Sequence, residues 1–159
     1  MACNPILFLT LALALGTLTA SCTPVQKVET PPETVEQEPE KPQEQTMTIN
    51  ITVGSKVFKA DIENTETGKA FIGKLPLTLD MTELNGNEKY CYGVSLPRAD
   101  KHFDTIAPGD LMLYSGDCIV LFYGPAGGFS YTRIGKLTST EGLKEALGTG
   151  GVKVTFAKE

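Results

Sequence analysis

Between Met47 and Val53 apolar residues alternate with polar ones: Met47, Ile49, Ile51 and Val53 against Thr48, Asn50 and Thr52. That period of two marks a strand buried on one face. Gly54-Ser55 follows as a two-residue hairpin signal, and Phe58, Ala60 and Ile62 alternate beyond it. Later runs at 89–94, 111–114, 118–123, 129–134 and 152–156 predict further strands, with Asn85-Gly86, Gly116-Asp117 and Gly127-Gly128 as turns. Two short helices interrupt the pattern. The first is predicted from about Thr65 to Leu75, capped by Asn64 or Thr65 and stopped by Pro76. The second carries a capping box, Thr138-x-x-Glu141, an apolar stripe of Leu143, Ala146 and Leu147, and Gly148 as C-cap. Many short strands with regular first and last members predict a closed or nearly closed barrel, which removes exposed edges, with the helices plugging or flanking it.

The apolar run at 6–18 has a different character. Its 13 residues are too few to span a bilayer, which takes about 20, but fit the apolar core of a secretion signal, about 7–15 residues long. Thr19-Ala20-Ser21-Cys22 ends the run with small residues and a thiol. This resembles the lipobox of bacterial lipoproteins, which implies a signal peptide over 1–21 and acylation of Cys22. The alternative is a signal cut without lipid, leaving Cys22 a free thiol.

Residues 23–46 carry five prolines, six Glu and no aromatic side chain. Such a stretch cannot bury enough apolar surface to offset its conformational entropy, so a disordered tether is expected from lipidated Cys22 to residue 46. As a coil it reaches roughly 25–30 Å, and in extended polyproline II roughly 75 Å. Of the net charge of −5, the tether holds −4; residues 47–159, with 13 acidic and 12 basic residues, hold −1. A near-neutral domain whose only arginines are Arg98 and Arg133 lacks the basic stripe of a nucleic-acid binder. These 113 residues are the size of one domain.

Within 47–159 several segments carry a family pattern: Leu75-Pro76-Leu77-Thr78-Leu79, Leu84-Asn85-Gly86-Asn87-Glu88-Lys89-Tyr90, Pro108-Gly109-Asp110-Leu111-Met112-Leu113-Tyr114, Leu121-Phe122-Tyr123 and Tyr131-Thr132-Arg133-Ile134-Gly135. In this order they resemble bacterial cyclophilin-like domains. The resemblance implies a mainly β fold, a cyclophilin-like closed barrel of about eight strands with two short helices. It implies little about activity, because fold alone does not give function.

Peptidyl-prolyl isomerisation is the activity such a fold brings into view. Uncatalysed X–Pro rotation crosses a barrier of roughly 18–20 kcal/mol. Catalysis needs an apolar pocket for the proline ring and a cation or donor near the imide nitrogen. True cyclophilins supply these with a Phe-His-Arg strand, an Asn-Gly-Ser-Gln-Phe-Phe segment and a Trp; this chain has none of the three, and its single His, His102, falls in a predicted loop. Arg133 is the one candidate for a catalytic arginine, because on a strand it shares a face with Phe129 and Tyr131. Its alternative role is a cation–π or packing contact, or a surface ion pair. If the domain binds a ligand, a concave apolar surface lined by Met112, Tyr114, Phe122, Phe129, Tyr131 and Arg133 is expected.

Other chemistry is sparse. One His and two separated Cys do not make a metal site, and no cofactor is expected. Gly124-Pro125-Ala126-Gly127-Gly128 joins two predicted strands and opens no helix, so it reads as a hairpin loop with no phosphate-binding role. Cys91 and Cys118 either form a disulfide, which an exported chain permits, or remain small buried thiols. The expected protein is a monomeric envelope lipoprotein, held to the membrane by its lipid. The outer membrane is favoured over the inner, with the domain in the periplasm or at the surface. That domain binds a peptide or small molecule without catalysis. The alternatives are a prolyl isomerase or folding assistant, and a lipoprotein whose domain docks on an envelope partner.

Overall fold

The computed structural model describes residues 46–159; the predicted signal peptide, Cys22 and nearly all of the tether lie outside the described residues. The alternating segments at the start become a hairpin: β1 (Met47–Val53) and β2 (Lys56–Ile62) pair with Val53 opposite Lys56 across Gly54-Ser55. Helix α1 (Glu66–Gly73) follows, with Thr65 as N-cap accepting from the Gly68 N–H at 3.1 Å. Then come β3 (Leu77–Leu84), β4 (Glu88–Tyr92), β5 (Lys101–Phe103), β6 (Asp110–Tyr114), β7 (Cys118–Phe122), β8 (Phe129–Leu137), α2 (Leu143–Leu147) and β9 (Val152–Lys158).

The strands run in the order β2-β1-β9-β3-β4-β7-β6-β8, and β8 returns to β2 through Ala60–Leu137, Asp61–Lys136 and Ile62–Gly135. This pairing closes an eight-stranded antiparallel barrel, and β5 adds a short ninth strand along β8. Inward-facing residues fill the interior: Ile49 and Ile51, Leu111 and Leu113, Ile119 and Leu121, Val154 and Phe156. Both helices are plugs. Phe71 of α1 meets Phe156 edge-to-face at 5.5 Å, and Leu143 and Leu147 of α2 join the same core. A second, smaller cluster lies on the opposite faces of β6, β7 and β8, where Met112, Cys118, Val120, Phe122 and Tyr131 pack with Ile106.

Some expectations change. The segment 77–84, outside any predicted strand, is β3, and His102 sits in strand β5 rather than a loop. Gly124–Gly128 is not a hairpin, because β6 lies between β7 and β8 and the segment crosses over it. The capping box does not form. The Thr138 hydroxyl and N–H both turn to the Lys59 carbonyl, which continues the β2–β8 edge, and α2 has Gly142 at its N-cap with no side-chain cap. Gly148 does end α2 with a positive φ of 56°, its N–H donating to the Lys144 carbonyl.

Candidate functional site

Across β4, β7 and β6 the outward residues form rungs. Tyr92, Cys118 and Tyr114 make one; Tyr90, Val120 and Met112 make the next. Neighbouring strands are about 4.8 Å apart, so the small side chains of β7 leave a trough between aromatic banks. On one bank Tyr90 and Tyr92 meet edge-to-face at 5.8 Å. On the other, Tyr114 lies against Tyr131 at 5.6 Å, and Tyr131 stands edge-on to Phe122 at 5.7 Å. The trough encloses about 320 Å³. Leu84, Tyr92, Tyr114 and Phe129 rim it and are among the few large apolar side chains left exposed.

The far wall is the crossover after β7. Asn87 holds it in place: its carbonyl accepts the N–H groups of Tyr123 and Gly124, both at 2.9 Å, and its Nδ2 donates to the Pro125 carbonyl at 3.0 Å. Ala126 bridges to Ile106 and lines the trough. Gly127 has no room for a side chain, because a Cβ would collide with the Asp104 carbonyl.

Glu88 and the Asn87 side chain supply the polar groups of the deeper wall. Glu88 is 6% exposed and stands opposite Phe122 on β7. Burial, followed by the nearby negative charge of Glu83, pushes its carboxyl above the ordinary range. Tyr131 is pushed up to about 12, first by burial and then by Glu88. Asn87 Oδ1 is buried and has no hydrogen-bond partner among the described residues.

Of the residues expected to line a site, Tyr114, Phe129 and Tyr131 do so. Met112 and Phe122 lie fully buried in the cluster beneath. Arg133 lines a separate depression of about 160 Å³, with Glu63, Thr65, Ala99, Lys101, Phe103 and Thr132. There its guanidinium lies 5.0 Å from the Phe103 ring centre and 3.6 Å from buried Asp110, with Glu63 at 4.0 Å. Tyr90, Tyr92, Glu88 and Asn87 were missed from sequence; the alternation of Glu88, Tyr90 and Tyr92 was the available signal. Cys91 and Cys118 are free thiols. Cys91 stands opposite Ile119 and Cys118 opposite Tyr92, so the two point to opposite faces of the barrel wall. A wider depression of about 730 Å³ beside α2 has walls of mostly exposed side chains, among them Lys56, Lys59, Thr138 and Glu145. Among the described residues no group of three His, Cys, Asp or Glu could hold a metal ion.

A closed eight-stranded barrel with two helices in its core and an aromatic trough on its outer wall is a cyclophilin-like architecture. A model of the cyclophilin-like family matches residues 51–157, and the chain belongs to that family. Among solved structures, a hypothetical protein from Archaeoglobus fulgidus, determined in solution, is similar at 21% identity and a TM-score of 0.55. The match covers 72% of this chain and 95% of that one, and at this identity the likeness concerns the fold. Comparison with curated proteins gives no match.

Proposed function

We propose that this chain is an envelope lipoprotein that presents its cyclophilin-like domain as a binding module, taking a peptide or small molecule into the aromatic trough without catalysis. The observation that carries this reading is the trough itself: a concave, largely apolar hollow rimmed by exposed aromatics, the usual form of a ligand site. Among the described residues the trough is lined by no arginine or histidine. Arg133 is engaged with Asp110 and Phe103 outside the trough, which favours a packing role. The anchor rests on the apolar run and Cys22, and the spacing on the acidic, proline-rich segment after it.

Two measurements on the full chain in detergent test this. Screening peptides and small aromatic compounds by NMR should shift the resonances of Tyr90, Tyr114 and Tyr131, and Ala126→Trp, which fills the trough, should abolish the shifts. Binding that survives in Ala126→Trp would remove the trough as the site. In a protease-coupled prolyl-peptide assay, wild type and Arg133→Ala should both stay at background; activity lost in Arg133→Ala would instead establish an isomerase.

A further inference from the structure

Glu88 is the one charged residue lining the trough. The residue is more than nine-tenths buried, and its carboxyl has no hydrogen-bond or ion-pair partner among the described residues. A buried carboxylate without a counter-charge is costly, and in folded proteins such groups are normally paired. Beside it, Asn87 spends its amide N–H on Pro125 and leaves Oδ1 buried and unsatisfied. The trough thus offers the Glu88 carboxyl as its one charged acceptor, no competing cation, and walls built of four tyrosines and Phe129. Aromatic faces attract cations, the more so when water is excluded.

We propose that the trough takes a protonated primary amine, its N–H groups donating to the Glu88 carboxylate and its alkyl carbons lying against the tyrosine rings. Each feature of the hollow selects for this group. A carboxylate ligand meets the Glu88 charge, and a neutral alkyl group leaves the Glu88 carboxylate unpaired. A metal ion finds a single carboxylate, too few charged ligands to hold it. An ammonium supplies three donors and the missing positive charge. The source of the amine is either the lysine side chain of a peptide or a free small amine, and the chemistry at Glu88 is the same for both.

This inference rests on the binding reading above and specifies its ligand. The test is NMR titration of the full chain in detergent with n-butylamine, N-acetyl-lysine methylamide and, as neutral isostere, n-butanol. Both amines should shift the Tyr90 and Tyr131 resonances saturably, and n-butanol should bind about tenfold or more weakly, the usual scale for a lost hydrogen bond to a charged group. Glu88→Gln should bring amine and alcohol to similar affinity. The tighter of the two amines identifies the source. If wild type binds n-butanol as tightly as n-butylamine, or Glu88→Gln leaves their ratio unchanged, the amine is excluded while the trough stands as a binding site. Silence from every probe, the neutral one included, removes both.

Discussion

Glu88 and Lys89 are neighbours on β4, both charged and both buried, and they face opposite sides of the barrel wall with opposite outcomes. Lys89 is fully enclosed. Its ammonium donates to Glu83 and to the carbonyls of Gly148 and Gly150, at 3.0 and 2.7 Å, so all three donors are used. Glu83 in turn accepts from the Tyr123 hydroxyl, and the Lys89 ammonium lies 5.6 Å from the Tyr123 ring centre. Glu88 has no such partner. One residue closes the fold and its neighbour is left without a partner among the described residues.

Lys89 ties the α2–β9 connection to the barrel, so removing its charge leaves two carbonyls and Glu83 short of a donor. Lys89→Met should cost about 2–4 kcal/mol, the scale for stranding buried polar partners. Urea denaturation measures this. Because Lys89 and Glu83 share one network, Glu83→Gln/Lys89→Met should lose less than the sum of the single variants. Strict additivity would mean that the network is not a unit.

Glu88 predicts a stability that falls with pH. A carboxyl raised above its ordinary value of 4.5 prefers to be protonated in the folded state. Its contribution is whole below that value and is lost as pH rises through the shifted one. Glu88→Gln removes the ionisation and should melt above wild type at pH 7, with the gap narrowing toward pH 4. A gap that does not change with pH would place the Glu88 carboxylate in a well-solvated setting and remove this account.

How much of this was legible in the sequence depends on how local each signal is. The β1–β2 hairpin and α1 follow from short-range pattern and cap chemistry, and both form as expected. Strand β3 also carries the signal, since Leu77, Leu79 and Met81 alternate with Thr78, Asp80 and Thr82. By contrast, β5 is three residues held to β8, and Gly124–Gly128 spans a strand that comes earlier in the chain; only the tertiary pairing reveals either. Thr138 shows a local cap losing to a strand edge. For the site, the sequence points to the Tyr114, Phe129 and Tyr131 bank. The opposite bank depends on β4 starting at Glu88, one residue before the predicted strand, which puts Glu88 in register with Tyr90 and Tyr92.

The two domain cysteines should stay unreactive in the native protein. Thiolate is the reacting form, and burial pushes Cys118 up to about 11 and raises Cys91 as well. In a Cys3→Ser/Cys22→Ser chain, Ellman's reagent at pH 8 should find almost no thiol until denaturant is added, then two. Reductant should leave the melting temperature unchanged. Fewer than two thiols after unreduced denaturation would mean a bridge, which the opposite orientations of Cys91 and Cys118 forbid.

The anchor makes a prediction independent of the barrel. A single acyl chain holds a membrane only marginally, whereas two or more give stable attachment. A mature bacterial lipoprotein carries three, so lipidation at Cys22 would fix the domain at a membrane and confine its encounters to what lies near that membrane. Expressed in a Gram-negative host fed labelled palmitate, the full chain should take up label and fractionate with membranes, and Cys22→Ser should lose both. Thermal melting separates this from misfolding, because Cys22 lies outside the segment that forms the barrel and the domain of Cys22→Ser should melt as wild type does. Label retained by Cys22→Ser would place acylation elsewhere, and a wild-type chain without label would make the small-residue run before Cys22 an ordinary signal-cleavage site. In that case the trough would face freely diffusing ligands rather than those near one membrane.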